Sequence, residues 1–356
     1  MPDYKEKLEE LLEIVAQEGA SDLHISAGRP PTIRLHGRLT PLLKFGMLND
    51  ETASGLSIAL LSEDQKEYLY NKKEVDLSYT HYDRARFRVN VYFQSNSIAA
   101  ALRLIPSKIS TIEELEMPPV LHRFTTPVQG FFLAVGPSGH GKSTTLAALV
   151  DEINHTRTEH IITIEDPIEY IFTQDKSIIN QRELGRDTKS FSSALRAAFR
   201  QDPDVIMVGE MRDIETISTA ITAAETGHLV FATLHTNNAS QTIDRIIDSF
   251  PPAQQHQVRS QLALTLIGVV SKRLVPKIDG GIVPAMEVMI TNSAVRNLIR
   301  ENKVYELDLV IETGADQGMI SLNRSLANLV RQGVISMETA EMYSLNPTEM
   351  RSIAER

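Results

Sequence analysis

Apolar residues repeat at helical spacing at the start of the chain. Leu8, Leu11, Leu12 and Val15 fall on one face of a helix, and the repeat stops at Gly19. We therefore predict an amphipathic helix that packs its leucine face onto a core. The segment is acidic and has neither the basic start nor the apolar centre of a signal peptide.

Shorter apolar runs, typical of strands, follow this helix. Polar and apolar side chains alternate most clearly in residues 85–93, where Arg88 falls on the polar side. The predicted strands span residues 22–26, 32–35, 39–42, 75–82, 85–93 and 98–104, and a predicted helix spans residues 53–61. The first hundred residues are therefore expected to form an α+β module.

From residue 120 onward, strand-like and helix-like segments alternate. The predicted strands are 130–135, 160–165, 204–209 and 229–234, and the predicted helices are 142–155, 213–226 and 240–249. This alternation is typical of a parallel sheet with crossover helices. A long helix from Pro252 to Arg273 is expected to begin a helical C-terminal part.

The segment 106–119 carries three prolines and few large apolar groups, which is typical of a linker. A chain of 356 residues is also long enough for two separate cores. The predicted organisation is an N-terminal α+β domain (1–105), a linker (106–119) and an α/β domain with C-terminal helices (120–356).

The composition, 42% apolar and 23% charged, is that of a soluble globular protein. A net charge of −10 disfavours binding to nucleic acid or to anionic lipid. The chain has no cysteine, so disulfides and thiolate metal sites are excluded. The apolar stretch that follows Gln261 has nine residues and is too short to span a bilayer. We expect a cytoplasmic protein that reaches a membrane only through a partner.

Residues 136–144, GPSGHGKST, match the phosphate-binding pattern GxxxxGK[ST] and directly follow an apolar strand. In this pattern backbone N–H groups surround phosphate, Lys142 reaches the β- and γ-phosphates, and Ser143 binds Mg²⁺. The expected cofactors are therefore ATP and Mg²⁺. The residues expected to bind the nucleotide are Ser138, Gly139, His140, Gly141, Lys142, Ser143 and Thr144.

Carboxylates follow two of the other predicted strands. Glu210 comes after the apolar strand 204–209, where it could orient or deprotonate an attacking water, or simply be a solvent-exposed residue at a strand end. Glu165 ends the strand 160–165, Asp166 and Glu169 follow it, and three carboxylates at one edge favour a bound cation such as Mg²⁺. A solvated acidic turn is the alternative.

Two further pairs of residues have open interpretations. His228 and His235 bracket one strand, and its length keeps them from sharing a metal ion. Each is either a structural histidine or, if it lies close to the γ-phosphate, a phosphate sensor. Arg88 and Arg103 lie on strands of the first domain, where they form either a solvated face or an arginine finger supplied to another subunit.

Five motifs together resemble the secretion ATPases of type II and type IV systems. They occur in order along the chain: ASDLHIS (20–26), GPSGHGKST (136–144), ITIEDPIEY (162–170), QDPDVIMVGEMRD (201–213) and AAETGHLVFATLHTNNA (223–239). Within that superfamily the chain most resembles the retraction motors of type IV pili, because it lacks the four-cysteine zinc module of assembly motors. Residues 294–301, AVRNLIRE, also resemble a signature of the retraction motors.

The resemblance implies a PAS-like N-terminal domain and a RecA-like ATPase domain. It implies that Glu165 and Glu169 help to hold Mg²⁺ and water, that Glu210 is catalytic, and that His228 and His235 link the nucleotide to neighbouring subunits. Arg88 and Arg103 would reach a nucleotide from the N-terminal domain. Ser143 and Glu165 would be the metal-binding residues, with Glu165 acting partly through water.

The expected function is a homo-hexameric ATPase that powers pilus retraction and twitching motility at an inner-membrane platform protein. No zinc, metal cluster or nucleic acid is expected. An accessory retraction ATPase and a nucleotide-gated scaffold are the alternatives, and a DNA-translocating ring is disfavoured by the net charge.

Overall fold

The computed structural model describes residues 4–35, 37–82, 85–105 and 108–355. The chain divides into two compact units, the first formed by Met1–Lys108 with Pro167–Ile171 and the second by Ile109–Asp166 with Phe172–Arg356. The boundaries expected from the sequence stay predictions, and residues 106 and 107 of the predicted linker lie outside the described residues.

The first unit is built on an antiparallel six-stranded sheet with the strand order β3-β2-β1-β6-β5-β4. Its strands are β1 (Asp22–Ile25), β2 (Thr32–Leu35), β3 (Arg38–Pro41), β4 (Glu74–His81), β5 (Ala85–Gln94) and β6 (Ser97–Ile105). Its helices are α1 (Tyr4–Glu18), α2 (Asp50–Ile58) and α3 (Glu63–Lys72).

One face of this sheet forms the core of the first unit. Along β5, Phe87, Val89 and Val91 are buried while Arg88 is exposed, as the alternation in the sequence predicts. The predicted leucine face of α1 is fully buried in the same core. The polar side chains of β5 therefore lie on the opposite face.

The second unit is built on a seven-stranded sheet with the order β13-β12-β7-β11-β10-β8-β9, in which only β13 runs antiparallel to its neighbour. Its strands are β7 (Gly130–Val135), β8 (His160–Glu165), β9 (Ile178–Glu183), β10 (Val205–Val208), β11 (Leu229–Leu234), β12 (Leu266–Pro276) and β13 (Ile282–Ile290). The residues of β7, β10 and β11 are all buried, which explains their unbroken apolar runs.

Helices cover this sheet and continue to the end of the chain. They are α4 (Lys142–Thr156), α5 (Phe191–Ala198), α6 (Ile214–Glu225), α7 (Ala239–Asp248), α8 (Pro252–Thr265), α9 (Ser293–Arg300), α10 (Leu307–Thr313), α11 (Leu322–Arg331), α12 (Met337–Tyr343) and α13 (Pro347–Ala354). No helix in the described part of the chain is both long and apolar enough to cross a membrane. The α/β fold class expected from the sequence is confirmed.

The prediction of one long helix from Pro252 to Arg273 is wrong. The helix ends at Thr265, and the chain continues as β12, which pairs with β7 on one side and β13 on the other. The β-branched residues Ile267, Val269 and Val270 favour an extended backbone, and two strand partners satisfy its hydrogen bonds. The sequence pattern did not predict α3, α5, β9 or β13, because these elements are short or lack clear periodicity.

Candidate active site

The glycine-rich loop joins the buried strand β7 to α4, as predicted. Gly136 has a φ of 138°, and a Cβ atom added there would lie 2.4 Å from the carbonyl oxygen of Lys272, so only glycine fits. Gly141, with a φ of 76°, immediately precedes the first residue of α4. The loop therefore presents the free N–H groups at the start of a fifteen-residue helix, a geometry suited to phosphate.

Lys142 is 8% exposed and turns back over the loop. Its ammonium group donates hydrogen bonds to the carbonyl oxygens of Gly136 and Pro137, each at 2.9 Å. Ser143 and Thr144 follow in the first turn of α4 and are half-buried. The loop thus holds a positive charge at the place where the sequence predicts phosphate binding.

His235 follows β11 and connects the loop to Glu210, which follows the neighbouring strand β10. Its Nδ1 lies 3.3 Å from the Lys142 ammonium and 3.2 Å from the Ser138 hydroxyl, while its Nε2 lies 3.0 Å from a Glu210 oxygen. Because an ammonium group can only donate, Nδ1 accepts from Lys142 and Nε2–H donates to Glu210. The imidazole of His235 therefore connects the predicted phosphate-binding lysine to the predicted catalytic carboxylate.

Glu210 lies just beyond β10, and Arg212 Nη2 donates to its second carboxylate oxygen at 2.8 Å. Partial burial acts to raise the pKa of Glu210, but Arg212, His235 and Lys142 together outweigh burial and hold this pKa below its usual value. The carboxylate is ionised at neutral pH and can accept a proton or orient a water molecule.

Glu165 ends β8, the strand next to β10, and its side chain lies in a buried polar setting. The Thr163 hydroxyl donates to its Oε1 at 2.6 Å and the Gln181 amide at 3.2 Å. The chain passes close by at Gly209, where an added Cβ would lie 3.3 Å from the Cα of Glu165. The carboxyl ends of β8, β10 and β11 thus bring Glu165, Glu210 and His235 to the same sheet edge as the loop.

A magnesium ion would find oxygen donors at this edge. The Ser143 hydroxyl and the Glu165 carboxylate belong to the ligand class that Mg²⁺ prefers, and Mg²⁺ usually keeps water and phosphate oxygens as its other ligands. Within the described residues, no group of three or more His, Cys, Asp or Glu side chains is arranged to hold a metal ion.

The three carboxylates expected at one edge have different surroundings. Glu165 is 5% exposed, whereas Asp166 is exposed and its charge helps to raise the pKa of Arg212 after the hydrogen bond and charge of Glu210. Glu169 is exposed and belongs to Pro167–Ile171, the segment that groups with the first unit. Its expected role stays a prediction.

The two candidate arginines are neighbours on the first sheet. Arg88 and Arg103 are directly paired between β5 and β6, and both are exposed. Arg103 Nε donates to Asp22 at 2.9 Å, and Arg34 lies 3.5 Å from the other oxygen of Asp22. The arginines therefore form part of a charged row across the first sheet, and their role towards nucleotide stays a prediction.

His228 lies at the start of β11, the opposite end from His235. Its Nδ1–H donates a hydrogen bond to the carbonyl oxygen of Ala223 at 2.9 Å, and its ring packs edge-on against Phe199. A six-residue strand spans about 20 Å. The structure therefore does not bring His228 to His235 within the second unit.

Several residues of the site were missed in the sequence analysis. Arg212 lies inside a motif that the sequence displays, and its spacing from Glu210 was the available signal. Asp213 of the same motif accepts hydrogen bonds from the backbone N–H and the hydroxyl of Thr216, and so caps α6. Lys272, whose carbonyl oxygen lies against Gly136, was not predicted because its segment was predicted to be helical.

Comparisons with known proteins agree with this geometry. The family model described as "Type II/IV secretion system protein" matches residues 4–302. The type IV pilus retraction ATPase PilT of Pseudomonas aeruginosa is 48% identical over 331 residues, which cover 93% of this chain and 96% of PilT. The type IV pilus ATPase PilU of the same organism is 39% identical, with 97% of this chain and 90% of PilU covered.

A solved structure of the pilus retraction motor PilT with bound ADP is 47% identical and superposes with a TM-score of 0.91. The match covers 97% of this chain and 98% of that one. The chain therefore belongs to the family of type II/IV secretion system ATPases, as a homologue of PilT.

Proposed function

We propose that this protein is the ATP-hydrolysing motor of type IV pilus retraction. The observation that carries the ATPase part is the chain of contacts Lys142–His235–Glu210, because it joins phosphate binding to a carboxylate able to act on water. The pilus part rests on the likeness to PilT along nearly the whole of both chains.

ATP binds to the N–H groups of residues 138–144, with Lys142 at the β- and γ-phosphates. Ser143, and in part Glu165 through water, would hold Mg²⁺, which would supply charge neutralisation at the phosphates. Glu165 and Glu169 would help to hold the water around this ion. These assignments are supported by the oxygen donors at the sheet edge and by the family motifs.

Glu210 orients and deprotonates the attacking water. The low pKa of this carboxylate keeps it ionised, and Arg212 and His235 fix its two oxygens. Loss of the terminal phosphate then removes negative charge beside Lys142 and His235. Because His235 contacts both Lys142 and Glu210, this change can alter its position and so couple hydrolysis to the rest of the chain. His228 would pass this state to a neighbouring subunit.

Arg88 and Arg103 of one subunit neutralise the phosphates bound by the next subunit in a homo-hexameric ring. Both side chains are exposed, as a finger supplied to another subunit must be, and Arg103 would exchange its bond to Asp22 for one to phosphate. The ring works in the cytoplasm against an inner-membrane platform protein and returns pilin subunits to the membrane.

An accessory retraction ATPase is the second candidate, supported by the likeness to PilU. The higher identity to PilT favours the principal motor. Restored retraction, when this protein alone is expressed in a strain that lacks both ATPases, separates the two. A nucleotide-gated scaffold is disfavoured, because binding alone requires neither Glu165 nor Glu210.

The test is ATP turnover measured across a concentration series of the protein. We expect turnover to rise steeply with concentration and to fall about a thousandfold in Arg88→Ala, a loss typical of an arginine finger. Glu210→Ala should bind nucleotide without turning it over, and Lys142→Ala should not bind it tightly. Arg38→Ala, which removes another exposed arginine of the first unit, is the matched control.

Mixing Arg88→Ala with Glu210→Ala should restore part of the turnover, because roughly a quarter of the interfaces in a random ring are complete. Turnover that is independent of concentration and unchanged in Arg88→Ala would mean that the site is complete within one chain. Glu210→Ala that kept more than about a tenth of wild-type turnover would contradict its role as the base.

A further inference from the structure

A buried lysine of β12 lies against the phosphate-binding loop and plays no part in the proposed hydrolysis. Lys272 is 3% exposed, and its Nζ lies 3.2 Å from the Thr145 hydroxyl and 3.7 Å from the Met117 sulfur. A Cβ atom added to Gly141 would lie 3.2 Å from the same Nζ. The amine is therefore packed against the first turn of α4.

The strand that carries Lys272 also supports the loop through its backbone. The carbonyl oxygen of Lys272 approaches Gly136 closely, and the Leu274 N–H donates a 2.9 Å hydrogen bond to Nδ1 of His140. These contacts reach the start, the middle and the end of the loop. β12 thus forms one wall of the loop, and Lys272 brings a buried charge to this wall.

Within the described residues the charge of Lys272 has no acidic counterpart. The contacts of its amine are a hydroxyl and a thioether, and burial lowers its pKa to about 8 without a contribution from a charged group. Glu287 on β13 is paired with Ser271 rather than with Lys272, so it points to the other face of the sheet.

The loop beside Lys272 carries further positive charge. Burial lowers the pKa of His140, and the charges of Arg273 and Lys142 lower it further. The start of α4 adds the positive end of a helix dipole. A buried cation without a counterion is costly, and here an anion at the loop would offset the cost.

We propose that Lys272 is a positioning residue for the nucleotide phosphates. Its buried charge is left uncompensated in the nucleotide-free chain and is balanced when phosphate binds at the loop, while its hydrogen bond to Thr145 fixes the first turn of α4. The proposal rests on the nucleotide site proposed above and adds a second cation, behind the loop, to Lys142.

The experiment measures the affinity of the full-length protein for ADP together with the unfolding temperature of the nucleotide-free protein. In Lys272→Met, which keeps nearly the length of the side chain, we expect the affinity for ADP to fall about tenfold, because a buried positive charge close to the phosphates is lost. The nucleotide-free protein should unfold at an equal or higher temperature, because a costly buried charge is gone. Lys272→Gln, which can still bond Thr145, should show the same loss if charge is the cause.

The pH dependence gives a second readout. Phosphate raises the pKa of Lys272, so binding takes up a proton and the affinity of the wild type should fall as the pH rises from about 7.5 to about 9.5. This decline should disappear in Lys272→Met and persist in Lys277→Met. Lys277, which binds Glu116 beyond the end of the same strand, is the matched control.

Unchanged affinity and an unchanged pH profile in Lys272→Met would overturn the proposal. So would a lower unfolding temperature of the nucleotide-free variant with full affinity, since that result assigns Lys272 to stability alone. If wild-type protein does not bind ADP, or if Lys142→Ala binds it as well as the wild type does, the nucleotide site itself is wrong.

Discussion

In the first sheet Asp22 lies directly across from Arg34 on β2 and Arg103 on β6, whereas in the second sheet Lys272 and Glu287 lie on paired strands but face opposite sides. The register of the strand pairs causes this difference, because Glu287 is paired with Ser271, one residue away from Lys272. Residues in register share a face and can neutralise each other, while a shift of one residue separates them.

Lys272 and Glu287 contact different helices, because they lie on opposite faces of the second sheet. Lys272 contacts α4, whereas Glu287 accepts a hydrogen bond from the N–H of Ala239 at the start of α7. Burial raises the pKa of Glu287 to about 7; the Ala239 hydrogen bond and Arg273 oppose this rise, and Asp308 adds to it. Paired charges stabilise the first sheet, and unpaired charges leave the second sheet responsive to pH and to ligands.

The largest effect on stability is expected for Glu287→Gln at alkaline pH. Burial raises the pKa of Glu287 from 4.5 to about 7. The contribution of this carboxyl to the free energy of unfolding is therefore fully present below about pH 4.5 and is lost as the pH rises through about 7, because the carboxyl must then ionise in a buried site. Gln removes this loss and still accepts from Ala239. We expect the free energy of unfolding at about pH 9 to rise by about 2 kcal/mol.

Unfolding by urea at several pH values, with the exposed Glu338→Gln as control, measures this effect. The variant and the wild type should converge near pH 5. A variant that is less stable than the wild type at every pH would show that Glu287 is held as a charged partner of Arg273, contrary to the comparison of the two sheets.

A smaller effect is expected for Asp22→Asn in the first unit, and here the free energy of unfolding should fall. Burial acts to raise the pKa of Asp22, but hydrogen bonds from Ser21 and Arg103 and the charge of Arg103 outweigh burial and lower it. The stabilisation is therefore present above about pH 4 and is lost as the pH falls through the lowered pKa. We expect a loss of about 1 kcal/mol at neutral pH that vanishes in acid.

The matched control is Asp76→Asn, because Asp76 is exposed and accepts a hydrogen bond from Asn90. Thermal unfolding at about pH 7 and about pH 3 distinguishes the two variants. Equal losses in both variants at both pH values would mean that the register of Asp22 with its arginines contributes nothing.

The smallest effect is expected for Arg34→Gln. Arg34 is 3.5 Å from Asp22, its side chain is 37% exposed, and Arg103 remains as the closer partner. We expect a loss of about 0.5 kcal/mol, typical of an exposed ion pair. A double-mutant cycle with Asp22→Asn isolates the pair, and a coupling above about 1 kcal/mol would contradict this ranking.

The parts of the site that come directly after a strand in the sequence were predictable. The strand before the loop, the glycines and Lys142, and the position of Glu210 after β10 all follow from local sequence, because parallel strands bring their carboxyl ends to one edge. The contact of His235 with both Lys142 and Glu210 was not predictable, since it requires β11 to lie between β7 and β10.

The amino-acid sequence by itself determined the amphipathic α1, the alternating β5, the buried parallel strands and the loop motif, because each depends on side-chain periodicity or on backbone freedom within a few residues. Only the tertiary structure decided that residues 266–276 are a strand, since β7 and β13 supply the hydrogen-bond partners on both sides. The same long-range pairing placed Lys272 under the loop and turned Glu287 away from it, because the register between strands is a property of the folded sheet.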